Sequence, residues 1–258
     1  MSVVERAERQ PWKPWQVTEP SNTRFHWLAL ETGPDGKSTG ATKMPNWVTN
    51  KVSAPKEVLQ SLINAEGRID FNTLITFAGS FPWNGIDSAA EQCAEVISGQ
   101  PLNEHPLIAS LQQSNRQGAN ALKLNDEQFE QFVQMLRNKR LTGHFHTLDF
   151  ANANWGTKWN ACDQDPDLEA GTLKFDTAWS CPEPVLKALS AKHPEAEISV
   201  VYADEDIGSN CGTLKLKAGE FVSRDESQGW NKMSKAEQEK WQAFAYEVKG
   251  WEPEPDDD

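Results

Sequence analysis

From residue 46 onward, polar and apolar positions follow regular periods. In PNWVTNKV, Trp47, Thr49 and Lys51 alternate with Val48, Asn50 and Val52, which predicts a strand over 46–52. SAPKEVLQSLINAEG then puts Val58, Leu59, Leu62 and Ile63 on one helical face, with Pro55 near the start and Gly67 past the end. FNTLITF predicts a second strand over 71–77. Residues 85–142 read as helical. Ser88 and Glu91 fit a capping box ahead of Ala90, Cys93, Ala94 and Ile97. A second helix starts at Asn125 and Gln128 and carries a stripe of Phe129, Phe132, Val133 and Leu136, which stops at Gly143.

The strand–helix–strand theme returns near the C-terminus. TLKFDTAW alternates as a strand, and SCPEPVLKALSAKHP predicts a helix capped by Ser180 and Glu183 that buries Val185, Leu186 and Leu189. EISVVYA (197–203) and GTLKLKAG (strand over 212–217) add two strands. A final helix over 234–249 opens with Ser234 and Glu237 and places Trp241, Phe244, Ala245 and Val248 on one face. Without the inserted helices the order is strand, helix, strand, strand, helix, strand, strand. That predicts an α+β fold, a ferredoxin-like antiparallel sheet with helices on one face.

The domain plan that follows has four parts. An irregular arm rich in Pro, Gly, Ser and Thr occupies 1–45, and the α+β domain with its helical insertion occupies 46–230. A C-terminal helix takes 231–251 and an acidic tail, EPEPDDD, takes 252–258.

Charge narrows the range of partners. The 258 residues hold 25 basic and 38 acidic side chains, a net charge of −13, and five of the acids lie in that tail. A general polyanion-binding surface needs clustered Lys and Arg, so nucleic acid is a poor fit. Arg137, Lys139 and Arg140 do cluster, but they sit where the C-terminal end of a helix dipole attracts cations. Cys93, Cys162, Cys181 and Cys211 are scattered without a C-x-x-C pair, and no secretory signal or membrane-length apolar run is evident. The expectation is a soluble, cytoplasmic protein without disulfides.

Candidate chemistry is thin. DQDPDLE spaces Asp163, Asp165, Asp167 and Glu169 like the opening of a calcium loop, but Leu168 and Lys174 stand where Gly and Glu are required. It reads as an exposed acidic loop. His144 and His146, with Cys162, Asp149 or Asp163, make a metal site only on paper, because no third ligand has diagnostic spacing. Cys181 near a helix start would have a lowered thiol pKa, yet no histidine is placed beside it as a base. No catalytic residue, metal or cofactor is therefore assigned. The stretch NWGTKWNACD (154–163) reads as an aromatic corner, in which Trp155 and Trp159 bracket a Gly156 turn and pack on Trp179. Asn154 and Asn160 would satisfy backbone groups at the bend.

ANWGTKWNACD, FDTAWSCPEPVLKALSAKHP and EISVVYADEDIGSNCGTLKL together resemble the YubB ferredoxin-like family, Api-type proteins of phages and conjugative plasmids. Cys181 departs from the proline more usual there. The resemblance runs from about 125 to 222 and more weakly over the first strand, helix and FNTLITF; it excludes the first 40 residues and about 85–124. It implies the ferredoxin-like fold and a mobile-element origin, and it supplies no catalytic residues. The function expected is non-enzymatic: binding of a host protein, with a counter-defence inhibitor as its most concrete form. Trp155, Lys158, Trp159, Trp179, Asp204, Glu205 and Asp206 are the candidate binding residues. Nucleic-acid or nucleotide binding on an aromatic sheet face, and a metal-dependent enzyme, are the alternatives.

Overall fold

The computed structural model describes residues 45–253. The expected arm over 1–45 lies outside these except for Pro45, and so does most of the acidic tail. Six antiparallel strands form one sheet: β1 (Trp47–Ser53), β2 (Cys162–Asp167), β3 (Thr172–Ala178), β4 (Ile198–Asp204), β5 (Cys211–Lys217) and β6 (Glu220–Glu226). Their spatial order is β2-β3-β1-β4-β5-β6. β1 is central, pairing Val48 with Thr177 on one side and with Asp204 on the other. The first four strands have the split strand–helix–strand order of a ferredoxin-like sheet, and β5 and β6 extend it as a meander.

The expected fold class holds, but its second strand lies elsewhere. Residues 71–77 are not a strand. Asp70 accepts the Asn72 N–H at 2.9 Å and caps a 3-10 turn at Phe71–Thr73, a local bond that competes with strand pairing. The expected acidic loop instead supplies β2. Acids and proline are depleted in strands, but this one is an edge, where Pro166 is tolerated and charge deters further pairing. β6, with charges at both ends, is the other edge and has no counterpart in the sequence-based plan.

One face of the sheet buries Val48, Val52, Leu173, Phe175, Ile198, Val200 and Leu214. Three helices cover that face. They are α1 (Lys56–Leu59), shorter than expected because Gln60–Leu62 tighten into a 3-10 turn, then α5 (Thr147–Asn154) and α6 (Glu183–Lys192). The C-terminal helix α7 (Lys235–Lys249) packs Trp241, Ala245 and Val248 over the opposite face, against Ala203 and Cys211. Ser234 and Glu237, expected at its start, form a capping box, and its C-cap, Gly250, is left-handed at φ 71. No helix among the described residues is long and apolar enough to cross a membrane.

Between α1 and β2 the chain builds a helical insertion with its own small core. It contains α2 (Ser88–Ile97), α3 (Pro106–Gln117) and α4 (Asp126–Thr142), and Ala90, Cys93, Ala94, Phe132, Met135 and Phe145 are buried there. The cap of α2 is Asp87, not Ser88, because Asp87 accepts the N–H groups of Ala89 and Ala90 while Glu91 turns to His146. α4 starts where expected, with Asn125 and Gln128 forming a capping box, but its buried face is rotated from the expected stripe. Gln131 and Asn138 are buried, and Phe129 remains 48% exposed. Those amides tie in neighbouring loops: Gln131 accepts from Asp87 N–H, and Asn138 bonds both backbone groups of Ser80.

Ser180 and Glu183 also fail to form the expected box. α6 starts after Pro182 without a side-chain cap; Ser180 donates to the Gly156 carbonyl, and Glu183 accepts from Arg224 at 2.8 Å instead of from a backbone N–H. Arg224 also holds Glu226 at 2.7 Å, and the Tyr202 hydroxyl donates to Glu226 at 2.5 Å. Tyr202, Gly212 and Glu226 are successive cross-strand partners, so the carboxylate reaches the phenol across a position with no side chain. A Cβ on Gly212 would stand 2.7 Å from the Asp225 carbonyl oxygen and 3.0 Å from Glu226 Cα. The backbone of β6 would have to move.

Gly212→Ala is therefore expected to destabilise the protein by about 1–3 kcal/mol through overpacking, measured by urea unfolding. The same tie predicts an acid limb. Arg224 holds the Glu226 carboxyl below the usual carboxylate range, with the Tyr202 hydroxyl assisting and burial opposing. Its contribution is complete above about pH 4.3, the unfolded value, and is lost as pH falls through the depressed folded value. In a pH series of unfolding midpoints, Glu226→Gln should flatten this limb.

Candidate functional site

Six of the seven candidate binding residues meet at one end of the sheet, where β1 begins and β3 and β4 finish. The exception is Trp155, which the structure places in the core: it is 6% exposed, its indole N–H donates to the Ile75 carbonyl at 2.9 Å, and its ring meets Phe71 and Phe150 edge-on. Phe71 and the α5 helix need that large ring to close the space beneath β3, so Trp155 is no surface contact. The expected stacking on Trp179 is also replaced. Trp159 packs with Trp47, ring centroids 5.8 Å apart, because Trp47 heads β1 on the face opposite the main core. Asn160 does satisfy backbone at the bend, accepting from Phe71 N–H at 3.0 Å, and Asn154 donates to Phe150 O.

The end of the sheet is braced by buried polar groups. Asp204 is 4% exposed and accepts from the Asn46 amide, the Asp206 N–H and the Asn210 amide, the last at 2.7 Å. Asn210 also donates to the Trp179 carbonyl at 3.1 Å, and the Trp179 N–H donates to Asn46 O at 2.9 Å. These bonds hold Trp179 at φ 72, a left-handed conformation that a bulky residue seldom adopts. The result is that its indole stands 43% exposed, close to the Trp47 strand end. Asp204 is thus a brace, while Glu205 and Asp206 are exposed beside it.

Trp47, Lys249 and Trp251 belong to this site and were not among the residues picked from sequence. Lys249, at the end of α7, reaches across the sheet to donate to Trp47 O at 3.1 Å and Thr49 Oγ1 at 3.2 Å. Burial pulls its pKa down, while Asp176, Glu205 and Asp204 oppose that shift. Its ammonium also lies 4.6 Å from the centre of the Trp251 ring, which is 49% exposed. Four of the eight tryptophans among the described residues therefore gather here: Trp47, Trp159, Trp179 and Trp251. Lys158 lies over the Trp159 ring at 4.6 Å, a cation–π contact that caps one indole face.

The other candidate chemistry goes elsewhere. His146 caps α5, accepting from Asp149 N–H, and its other ring nitrogen meets Glu91 at 3.0 Å. His144 lies on a loop against Asn154 and Asp149, so the pair is not strand-borne. Among the described residues no group of three or more His, Cys, Asp and Glu is arranged to hold a metal ion. Cys181 precedes α6 and is buried, and burial with nearby Glu183 and Glu226 pushes its thiol well above the ordinary value. Burial likewise raises Cys162. Neither has the electropositive, accessible setting of a reactive thiol.

Asn210→Ala removes a donor from a buried carboxylate and from the Trp179 carbonyl. It should cost about 1–3 kcal/mol in urea unfolding and blunt the fixed exposure of Trp179, read as altered quenching of tryptophan fluorescence by iodide.

Comparison with known proteins bears on the fold. No curated protein matches the chain. The crystal structure of a protein api92 from Yersinia pseudotuberculosis aligns with 72% of this chain and 99% of that one, at 9% identity and a TM-score of 0.29. Residues 154–246, from the end of α5 to α7, match the ferredoxin-like domain in Api92-like protein.

Proposed function

We propose that the protein acts by binding a protein of a host cell, without catalysing a reaction, and that the tryptophan cluster at the sheet end is the contact surface. The observation that carries this reading is the pair of exposed indoles, Trp159 and Trp179, fixed on a hydrogen-bonded frame. Aromatic anchors of this kind supply most of the energy of many interfaces, and a frame set before binding reduces the ordering cost. Glu205 and Asp206 line the rim, which suits a partner with apolar pockets edged by basic residues. The resemblance to phage and plasmid proteins makes a host factor in the cytoplasm the natural target, and inhibition of a defence component the most specific version.

A second reading, base stacking on the same indoles, draws on their position on the sheet surface. Its weakness is local charge: Lys158 is engaged with an indole, and Glu205 and Asp206 repel phosphates.

Affinity capture from host lysate separates the two. The expected result is a stoichiometric partner protein whose binding weakens tenfold or more in Trp159→Ala or Trp179→Ala, about 1.4 kcal/mol or more, with unfolding midpoints little changed. Retention of the partner by both variants would remove the cluster from the interface. Salt-sensitive binding of single-stranded oligonucleotides, lost in the same variants, would favour the second reading.

A further inference from the structure

The helical insertion carries a separate groove along the outer side of α4. Phe129, Val133 and Arg137 follow one another at four-residue steps, Glu130 and Gln134 run alongside, and Trp83 forms the other wall. The groove encloses about 370 Å³, within the range of small-ligand sites and enough for one large side chain. Phe129 stands half-exposed in it, while Phe132 on the same helix is buried.

Charge distinguishes this groove from a bare apolar patch. The helix dipole accounts for Lys139 in the basic cluster, since its ammonium donates to the Gly143 carbonyl at 2.7 Å. Arg140 shares that last turn, whereas Arg137 lies just before it, on the wall of the groove. Both are exposed, one turn apart, and among the described residues neither enters an ion pair. A guanidinium with free donors beside an aromatic slot offers planar, two-bond recognition of a carboxylate next to an apolar contact. Glu130, toward the opposite end of the groove, repels a carboxylate there and so sets the direction of an occupant.

We propose that this groove docks an acidic peptide segment bearing one large apolar side chain, which lies between Trp83 and Phe129 while a neighbouring carboxylate pairs with Arg137. Arg140, one turn further, takes the next acid along the segment. These residues precede the stretch matched by the ferredoxin-like domain, so the insertion adds a second recognition surface to that domain.

The test uses the full chain and a panel of short fluorescein-labelled peptides rich in Glu and Asp, each with one central Leu, Phe or Trp. Fluorescence anisotropy should show saturable binding of at least one of them. Replacing the central residue by Ala, or either Phe129→Ala or Arg137→Gln, should weaken that binding tenfold or more. Arg137→Glu should abolish it, and circular dichroism should show that each variant stays folded. The proposal is overturned if no acidic peptide saturates, if lysine-rich versions bind as well, or if the variants bind unchanged. A concentration-dependent dimer lost on Phe129→Lys, seen by sedimentation, would give the groove to a second copy of the chain instead.

Discussion

The pairing of β1 on both of its sides is the interaction on which the rest of the structure depends. Its backbone joins β3 on one edge and β4 on the other, bridging segments that lie more than a hundred residues away in the chain. Without it, β2-β3 and β4-β5-β6 would be two unconnected ribbons, and the core face they share would be cut in two. The sheet-end frame has the same dependence, because Asn46, Trp47 and Thr49 supply the acceptors or donors for Trp179, Asp204 and Lys249. The residues matched by the ferredoxin-like domain begin at Asn154 and omit this central strand. In this chain those residues form one continuous sheet only with a strand supplied from before the insertion.

Where burial is one-sided, sequence periodicity located the elements well. Val48 and Val52, Leu173 and Phe175, and Leu214 and Leu216 alternate with polar neighbours, and all fall in strands with the expected residues inside. β2 was illegible for the opposite reason. An edge strand of acids and proline buries almost nothing, and its pairing with β3 is imposed by the rest of the sheet. FNTLITF misled because its apolar residues serve a core while its backbone bonds locally through Asp70. The two missed capping boxes share a cause: Glu91 and Glu183 had stronger tertiary partners in His146 and Arg224 than a helix terminus.

The candidate site was legible one residue at a time but not as an assembly. The aromatic corner marked Trp159 and Trp179, and ADED marked Asp204, Glu205 and Asp206. Nothing in residue spacing links these to Trp47, or to Lys249 at a separation of 202 positions. Long-range strand pairing and the return of α7 across the sheet bring them together. Trp155 shows the reverse case: adjacent in sequence to exposed residues, it points into the core because α5 ends there and turns its ring beneath the sheet.

The Tyr202–Glu226 tie across Gly212 has a consequence for how relatives of this chain can diverge. A side chain at position 212 would meet the backbone of β6 as well as the Glu226 side chain, so a larger residue there requires a displaced strand. Loss of the acid at 226 would in turn leave Arg224 with a single carboxylate and Tyr202 without its acceptor. Glycine, tyrosine, arginine and the two glutamates should therefore be inherited as a set or exchanged as a set. Their joint presence in a distant homologue would mark a sixth strand fastened to the helix above it, even where overall identity is too low to align.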